Sequence, residues 1–344
     1  MTSTPNPRFS VAPMLDWTDR HCRYFYRRMT RHALLYTEMV TTGALIHGGN
    51  PERFLGHEDD MPVVLQLGGS APDELAQCAR MGESWGYQAI NLNVGCPSDR
   101  VQNNMIGACL MAHPRLVAEG VHAMKGAVSI PVTVKTRIGI DEMESYQAFE
   151  DFCAAQIEAG CDGLIVHARK AWLQGLSPKE NREIPPLRHE WVYRLKKAFP
   201  DTEIVLNGGI QTLDEADEKL RPQKVGDPPL DGVMLGRAVY ENPWMLANVD
   251  RRFYGGENPI QGRFAVVEVM RDYTERHIAQ GGRLHHVIRH MLGLFKGYPG
   301  GRKWRQILSQ QGHRADAGWS VVETALEAVR AEIRRAEERD RAVS

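Results

Sequence analysis

The sequence contains no long apolar run, no cysteine motif and no large excess of one charge. No stretch approaches the ~18 consecutive apolar residues of a membrane-spanning helix, and the mean hydropathy is -0.40. The N-terminal residues lack the basic and then apolar order of a signal peptide, so we expect a cytoplasmic protein. The 344 residues include six cysteines without a CxxC pair, which argues against a disulfide framework and against a zinc or iron–sulfur site.

The net charge of -1 hides an uneven distribution along the chain. Residues 1–250 hold 25 Lys and Arg against 32 Asp and Glu, whereas residues 251–344 hold 17 against 11. The segment 281–314 has seven Lys or Arg, four His and no acidic residue. Such a run is either a solvated face or a surface that binds a polyanion, and its length favours the polyanion.

Short apolar runs alternate with helical patterns through the first 240 residues. Runs that are apolar on both faces predict parallel strands, and eight strand–helix units predict a (β/α)8 TIM barrel. An open doubly wound sheet is the alternative, weakened because no early G-x-G-x-x-G turn is present. The predicted strands are residues 9–13, 34–39, 63–67, 89–94, 132–136, 163–167, 203–207 and 232–235.

The pattern changes after residue 250 to helices alone. A Gly- and Pro-containing linker at 253–262 precedes predicted helices at 264–280, 284–295, 304–310 and 320–340. We therefore expect two domains, a barrel at 1–250 and a small all-α domain at 251–344.

Each predicted strand ends on a polar or otherwise chemically distinctive residue. In a TIM barrel these ends meet at one face, where chemistry occurs, so the eight side chains predict a polar pocket that would hold a cofactor. The residues are Met14, Glu38, Gln66, Asn93 with Cys96, Lys135, His167, Asn207 and Arg237.

Glycines follow the seventh and eighth strands, at Gly208, Gly209 and Gly236. Backbone N–H groups there can approach phosphate oxygens, and Arg237 can pair with a phosphate. The alternative is that Gly208 and Gly209 serve a tight turn. Glycines at both of these strand ends favour the phosphate site.

Three side chains leave their chemistry open. Lys135 can form a Schiff base, remain a cation beside an anion, or lie solvated at the rim. His167 can bind a flavin or a phosphate more readily than a metal, because no second ligand stands at metal spacing. Cys96, carried past the strand by a Gly and a Pro, can donate a proton or act as a nucleophile. The other five cysteines are interpreted as core residues.

Motifs along residues 8–245 resemble those of the tRNA-dihydrouridine synthases, in the order that the family shows. Two further segments, at 176–187 and 297–305, resemble the bacterial A subfamily. The barrel motifs are Ala12-Pro-Met-Leu-Asp-Trp-Thr-Asp, Gln66-Leu-Gly-Gly, Asn91-Leu-Asn-Val-Gly-Cys-Pro-Ser, Val134-Lys-Thr-Arg, Val166-His-Ala-Arg, Asn207-Gly-Gly and Gly236-Arg.

The resemblance implies an FMN enzyme that takes electrons from NADPH and reduces the C5–C6 bond of uridine 20 or 20a in the tRNA D-loop. Flavin N5 would deliver hydride to C6, and Cys96 would protonate C5. Asn93 would bind the target base. The implied FMN contacts are Pro13, Met14, Leu15, Gln66, Lys135, His167, Asn207, Gly208, Gly209, Gly236 and Arg237. The implied tRNA contacts, besides Asn93, are Lys179, Arg182, Arg302 and Arg305.

Three other functions compete with this one. A small-molecule flavin barrel of the dihydroorotate dehydrogenase type would share the cofactor but would not need the basic C-terminal region. A class I aldolase would act through Lys135 and contain no flavin. A tRNA-binding protein without activity would leave the pocket residues incidental. Nothing in the sequence indicates a metal, a membrane or an obligate protein partner.

Overall fold

A computed structural model describes residues 5–98 and 104–343 of the chain, with the backbone alone at 342–343. The chain divides into two compact units. The first comprises Met1–Thr18 and Ala33–Gly236, and the second comprises Asp19–His32 and Arg237–Ser344. Within the described residues, no helix combines the length and the apolar character needed to cross a membrane.

The first unit contains a sheet of parallel strands in the order β1-β9-β8-β7-β6-β5-β4-β2, with β3 also paired to β4. A parallel bridge between Ser10 and Leu34 joins the two ends of this order, so the sheet closes. The predicted (β/α)8 barrel is therefore confirmed. The strands are β1 Phe9–Val11, β2 Leu35–Tyr36, β3 Val40–Thr41, β4 Val63–Gly68, β5 Ala89–Val94, β6 Val132–Arg137, β7 Gly163–His167, β8 Glu203–Asn207 and β9 Gly232–Leu235.

The second predicted strand, 34–39, is divided into two short strands. Both β2 and β3 pair with β4, at Leu35↔Val63 and Val40↔Leu67. Between them, the Thr37 hydroxyl accepts the hydrogen bond from the Gln66 N–H at 3.0 Å. A side chain thus replaces the carbonyl that a continuous ladder would use, which interrupts the strand.

Helices follow most strands of the barrel and cover its outer face, as the alternation predicted. The α-helices of the first unit are Thr42–His47, Glu52–Leu55, Pro72–Ser84, Pro114–Ala127, Tyr146–Glu158, His189–Ala198 and Leu213–Lys219, with 3₁₀ turns at Gly107–Ala112 and Glu180–Arg182. Alternate strand residues fill the interior of the barrel with apolar side chains, among them Tyr36, Val64, Ile165, Val205 and Met234.

The second unit is helical but differs from the predicted domain 251–344. Its C-terminal part starts at Arg237 rather than at residue 251, and the unit also includes the early helix Arg20–Arg27. The physical reason is a buried carboxylate, Asp250, which accepts hydrogen bonds from the Thr30 hydroxyl at 2.5 Å and from the Arg31 N–H at 2.6 Å. The other helices are Arg237–Glu241, Val249–Tyr254, Arg263–Val269, Arg271–Ala279, Leu284–Ile288, Gly301–Gln311 and Ser320–Val343, with a 3₁₀ turn at Pro243–Asn248.

Two predicted helices are shorter than expected. The predicted helix 264–280 is divided at Met270, whose N–H bonds to the Val267 carbonyl three residues earlier rather than four. The predicted helix 284–295 ends at Ile288, after which the N–H groups of Met291 and Leu294 also bond to carbonyls three residues back. Tightening to such bonds ends an α-helix.

Candidate active site

A row of hydrogen-bonded side chains links the neighbouring strands β4, β5 and β6 and reaches the carboxyl end of β5, at the face of the barrel that we call the mouth. Gln66 Nε2 donates to Asn91 Oδ1 at 2.8 Å, and Asn93 Nδ2 donates to Gln66 Oε1 at 2.9 Å. Asn91 Nδ2 donates to Thr133 Oγ1 at 2.9 Å. Gln66 and Asn91 are buried. The network fixes each amide in one orientation, because buried polar groups must be paired.

Asn93 also holds the turn that carries Cys96. Its Oδ1 accepts hydrogen bonds from the backbone N–H of Gly95 at 3.1 Å and of Cys96 at 3.0 Å. Such an amide cap fixes the chain just after the strand. The Cys96 carbonyl in turn accepts from the Ala108 N–H at 2.8 Å. Cys96 is half-buried and lies directly past the end of β5, as the sequence predicted.

The other cysteines have different surroundings. Cys22, Cys78, Cys153 and Cys161 are buried, in agreement with their interpretation as core residues. Cys109 is half-buried rather than part of the core, and its Sγ lies 3.4 Å from the Ile106 carbonyl oxygen. Burial raises the pKa of all five thiols, so they stay protonated at neutral pH.

Lys135 on β6 is a cation in the mouth. Its Nζ donates to Asn207 Oδ1 at 3.2 Å, and Asn207 Nδ2 donates to the Met234 carbonyl at 2.8 Å. Burial and the nearby Arg137 lower the pKa of Lys135 to about 8, while Cys96 opposes this shift. The amine therefore keeps its proton at pH 7 and presents a positive charge to the mouth.

His167 at the end of β7 is neutral at pH 7. Burial lowers its pKa well below the usual value, and the charges of Arg137 and Lys135 act in the same direction, as do two further cations. Those further cations are Arg169 and Arg182. Four positive charges around one neutral imidazole favour an anion at this side of the mouth.

The glycines after β8 adopt backbone conformations that other residues rarely adopt. Gly208 has φ +112° and Gly209 has φ +78°. A Cβ on Gly208 would lie 2.7 Å from His167 Cδ2, and a Cβ on Gly209 would clash with Leu187. His189 Nε2 lies 2.8 Å from the Gly208 carbonyl oxygen and fixes the turn. The tight-turn interpretation thus applies to both glycines, and it leaves their N–H groups available to the phosphate interpretation.

Gly236, after β9, is different because the protein leaves space beside it. A Cβ there would meet the Ala12 Cβ and the Met14 Sδ at 3.5 Å, which is ordinary contact. Packing within the chain therefore does not require glycine at this position. Arg237, the next residue, begins helix Arg237–Glu241. It is also the first residue of the C-terminal part of the second unit.

The end of β1 presents an apolar surface. Met14 packs against the apolar core of the barrel, and its N–H donates to the Thr18 hydroxyl at 3.0 Å. Pro13 is half-buried, whereas Leu15 is 63% exposed. An apolar side chain is therefore left exposed just past the end of β1.

The loop after β7 presents Lys179 and Arg182 around a 3₁₀ turn. Both are exposed, while Asn181 between them is fully buried. Asn181 Nδ2 donates to the carbonyls of Trp172 at 2.8 Å and Leu176 at 3.1 Å, and these bonds fix the loop.

In the second unit, Arg302 and Arg305 are exposed on helix Gly301–Gln311. Lys303, between them, instead forms an ion pair with Glu332 at 2.7 Å.

Sequence reasoning missed Arg137 and Asn181. Arg137 ends β6 and is 3% exposed, and Asn181 is buried in the loop just described. Both lie inside segments that carry the family resemblance, which was the available signal. Among the described residues, no group of three or more His, Cys, Asp or Glu could hold a metal ion.

Fold and mouth together define a (β/α)8 barrel with a half-buried thiol, clustered cations and a tight glycine turn after β8. The sequence matches the model of the family described as Dihydrouridine synthase (Dus) over residues 10–332, and the chain belongs to this family. The resemblance seen in the motifs is thereby confirmed.

Similar proteins cover nearly the whole chain. One, of Pseudomonas syringae pv. tomato (strain ATCC BAA-871 / DC3000), is 59% identical over 310 residues, 90% of each chain. Another, of Pseudomonas aeruginosa, is 58% identical over 321 residues, 93% of this chain and 94% of the relative. Both are named tRNA-dihydrouridine(20/20a) synthase.

A solved complex of 2-naphthoyl-CoA reductase shares the fold, with a TM-score of 0.52 and 12% identity. The match covers 70% of this chain and spans 49% of that protein's length.

Proposed function

We propose that this chain reduces the C5–C6 double bond of uridine 20 or 20a in tRNA, with FMN as cofactor and NADPH as reductant. The observation that carries the proposal is the half-buried thiol of Cys96, held past a strand end by Asn93 in the same mouth as the Lys135 cation. The names of the relatives supply the substrate class.

The residues present fit FMN. No side chain fills the space beside Gly236, which leaves room for a ligand. Gly208 and Gly209 offer backbone N–H groups for a phosphate. Leu15 supplies an exposed apolar surface for the ring. When bound, FMN supplies the hydride from its N5 to C6 of the uridine. Lys135 would hold a positive charge beside the bound flavin, and neutral His167 could donate a hydrogen bond to its phosphate.

Cys96 acts as the general acid in this proposal. Its S–H bond breaks as a C–H bond forms at C5, and the electron pair stays on sulfur. Asn93 holds the main chain of the thiol through Oδ1, and its Nδ2 is engaged with Gln66, so one N–H of the amide remains for the base. A uridine inside folded tRNA must leave its stack to reach this thiol.

The experiment that tests the function is mass mapping of D-loop fragments from tRNA lacking dihydrouridine, after incubation with the protein, FMN and NADPH. We expect fragments that contain position 20 or 20a to gain two hydrogens for each uridine reduced. Reduction of a free pyrimidine without reduction of tRNA would contradict the proposal and favour the dihydroorotate type of barrel.

Replacing Gly236 by alanine should weaken FMN binding by at least about 10-fold, because the added methyl group occupies space that the ligand needs. The apoprotein should change in stability by less than about 0.5 kcal/mol, since the Cβ makes ordinary contacts. Fluorescence titration with FMN and thermal melting of the apoprotein measure the two effects. Gly126→Ala, on helix Pro114–Ala127, is the control and should bind FMN like the parent. Equal affinity in the Gly236 variant would remove this glycine from the cofactor site.

Removing exposed cations one at a time should weaken tRNA binding without altering FMN content. Each lost phosphate contact should lower the salt slope of binding by ~1, because one fewer counterion is released. The measurement is the dissociation constant for tRNA across a salt series. The four variants are Lys179→Ala, Arg182→Ala, Arg302→Ala and Arg305→Ala.

Matched controls are lysines that already form ion pairs. Lys303→Ala lies on the same helix as Arg302, and Lys197→Ala removes a partner of Asp227, 2.8 Å away. Both should keep the parent's salt slope. If all six variants keep the salt slope of the parent, the RNA lies elsewhere on the protein.

A further inference from the structure

Arg137 is a buried cation whose contacts reach two separate segments of the mouth. Its Nε donates to the Gly95 carbonyl at 2.9 Å. Its Nη1 donates to the carbonyls of Asn181 at 2.9 Å and Lys170 at 3.1 Å. All three acceptors are main-chain oxygens, and the side chain is 3% exposed.

Burying the guanidinium of Arg137 is energetically costly. Taking a guanidinium out of water costs several kcal/mol, and main-chain carbonyls compensate for this less well than a carboxylate does. Burial lowers the pKa of Arg137 to about 10, and the charges of Arg182 and Arg169 contribute to this shift, so the group remains a cation at pH 7. A neutral side chain would fill the same space without this cost, which indicates that the contacts themselves matter.

The two segments carry different parts of the proposed reaction. Gly95 directly precedes Cys96, so the bond from Nε fixes the turn that presents the thiol. Asn181 stands between Lys179 and Arg182, so the bond from Nη1 fixes the loop that presents these cations. Asn181 is itself held by its own side chain, whose Oδ1 accepts from the Trp172 N–H at 2.7 Å.

The geometry of the guanidinium suits this arrangement. Its planar fork presents several N–H donors in fixed directions, so one residue can bind carbonyls on two segments at once. A lysine ammonium keeps the charge, but its three N–H donors share one nitrogen, so it cannot reproduce the separate, fixed directions of Nε and Nη1. Arg137 is thus a link that depends on shape as well as on charge.

We propose that Arg137 is a positioning residue that couples the turn carrying Cys96 to the loop carrying Lys179 and Arg182, so that the thiol and the RNA-binding cations are held in register. The inference rests on the proposed function. It adds that a bound RNA and the general acid communicate through one buried side chain. The consequence is that the tRNA half-reaction depends on Arg137, whereas reduction of the cofactor by NADPH does not.

The first test is Arg137→Lys in the FMN-loaded protein. We expect reoxidation of the reduced protein by tRNA to slow at least about 10-fold, and reduction by NADPH to stay within about 2-fold of the parent. Arg188→Lys is the matched control, since Arg188 is exposed in the same loop and should leave both rates unchanged. Equal slowing of both half-reactions, or of neither, would overturn the proposal. A parent protein that does not reduce tRNA uridine would instead overturn the proposed function.

The second test is a double-mutant cycle on tRNA binding. If Arg137 only stabilised the fold, the cycle would show no coupling between Arg137 and Arg182. In the parent, Arg182→Ala weakens binding; in the Arg137→Lys background, we expect the same change to have less than half of that effect, in logarithmic units. Coupled residues give such non-additive results. Full additivity would show that Arg137 does not position Arg182.

A third variant changes the loop that accepts from Arg137 and leaves Arg137 itself in place. This test therefore does not depend on whether Arg137→Lys folds. Asn181→Ala loosens the loop without touching Cys96, in a Cys109→Ser background that removes the other half-buried thiol. We expect alkylation of Cys96 by iodoacetamide to accelerate at least about 3-fold, because the side-chain bonds that hold the loop are lost and the carbonyl to which Arg137 donates is no longer fixed. An alkylation rate equal to that of the Arg188→Lys control in the same background would overturn the coupling.

Discussion

Replacing Cys96 by alanine should slow uridine reduction by about 10²–10⁴-fold, the usual contribution of a positioned proton donor. The thiol lies past the end of β5, whereas Lys135 and the glycines that suit the cofactor lie on other strands. Reduction of the cofactor by NADPH should therefore continue at nearly the parent rate, with FMN content unchanged.

Stopped-flow absorbance of the flavin separates the two half-reactions, first on mixing with NADPH and then on mixing the reduced protein with tRNA. Cys109→Ala is the control, because Cys109 is also half-buried but its thiol contacts the Ile106 carbonyl. It should behave as the parent in both steps. If tRNA reoxidises the Cys96→Ala protein as fast as the parent, the acid is another residue.

Replacing Asp250 by alanine should lower the free energy of unfolding of the second unit by about 3–5 kcal/mol. The carboxylate is fully buried and accepts from the Thr30 hydroxyl and from the N–H groups of Arg31 and His32. Its removal leaves three donors without their acceptor, and each such donor costs about 1–3 kcal/mol. Urea unfolding followed by circular dichroism measures the change.

The control for this variant is Asp272→Ala, an exposed carboxylate in the first turn of helix Arg271–Ala279. It should cost less than about 1 kcal/mol. A similar small cost for Asp250→Ala would mean that the loop 30–32 finds other acceptors and that Asp250 does not hold it.

Most of the barrel could be predicted because its signals are local. Six of the eight predicted strands are observed at or within one residue of the predicted bounds. Runs such as those of β7 and β9 are apolar on both faces, which is a local signal. The second strand was predicted as one piece because no local signal shows that the Thr37 hydroxyl takes the place of a backbone acceptor.

The second unit was harder to predict because its organisation depends on distant contacts. Thr30 and Asp250 are 220 positions apart, so neither periodicity nor composition links them. The sequence boundary at residue 250 followed the change in local pattern, whereas the contacts place the division after Gly236.

The mouth was predictable as a set of strand ends but not as a network. The sequence indicates Asn93 and Cys96 as neighbours, and the hydrogen bond between the Asn93 side chain and the Cys96 N–H follows from their spacing. Arg137 was missed because its acceptors are main-chain carbonyls, which have no sequence signature.

The early segment Asp19–His32 has a consequence for how the protein is made on the ribosome. Its partners within the second unit, including Tyr273, which stacks on Tyr24 at 3.8 Å between ring centroids, are encoded about 200 residues later. At about 5–20 residues per second of translation, the segment emerges roughly 10–40 s before the chain that completes its unit. During that interval the aromatic side chains of Arg20–Arg27 lack those partners. We therefore expect nascent chains arrested before residue 237 to recruit chaperones through this segment.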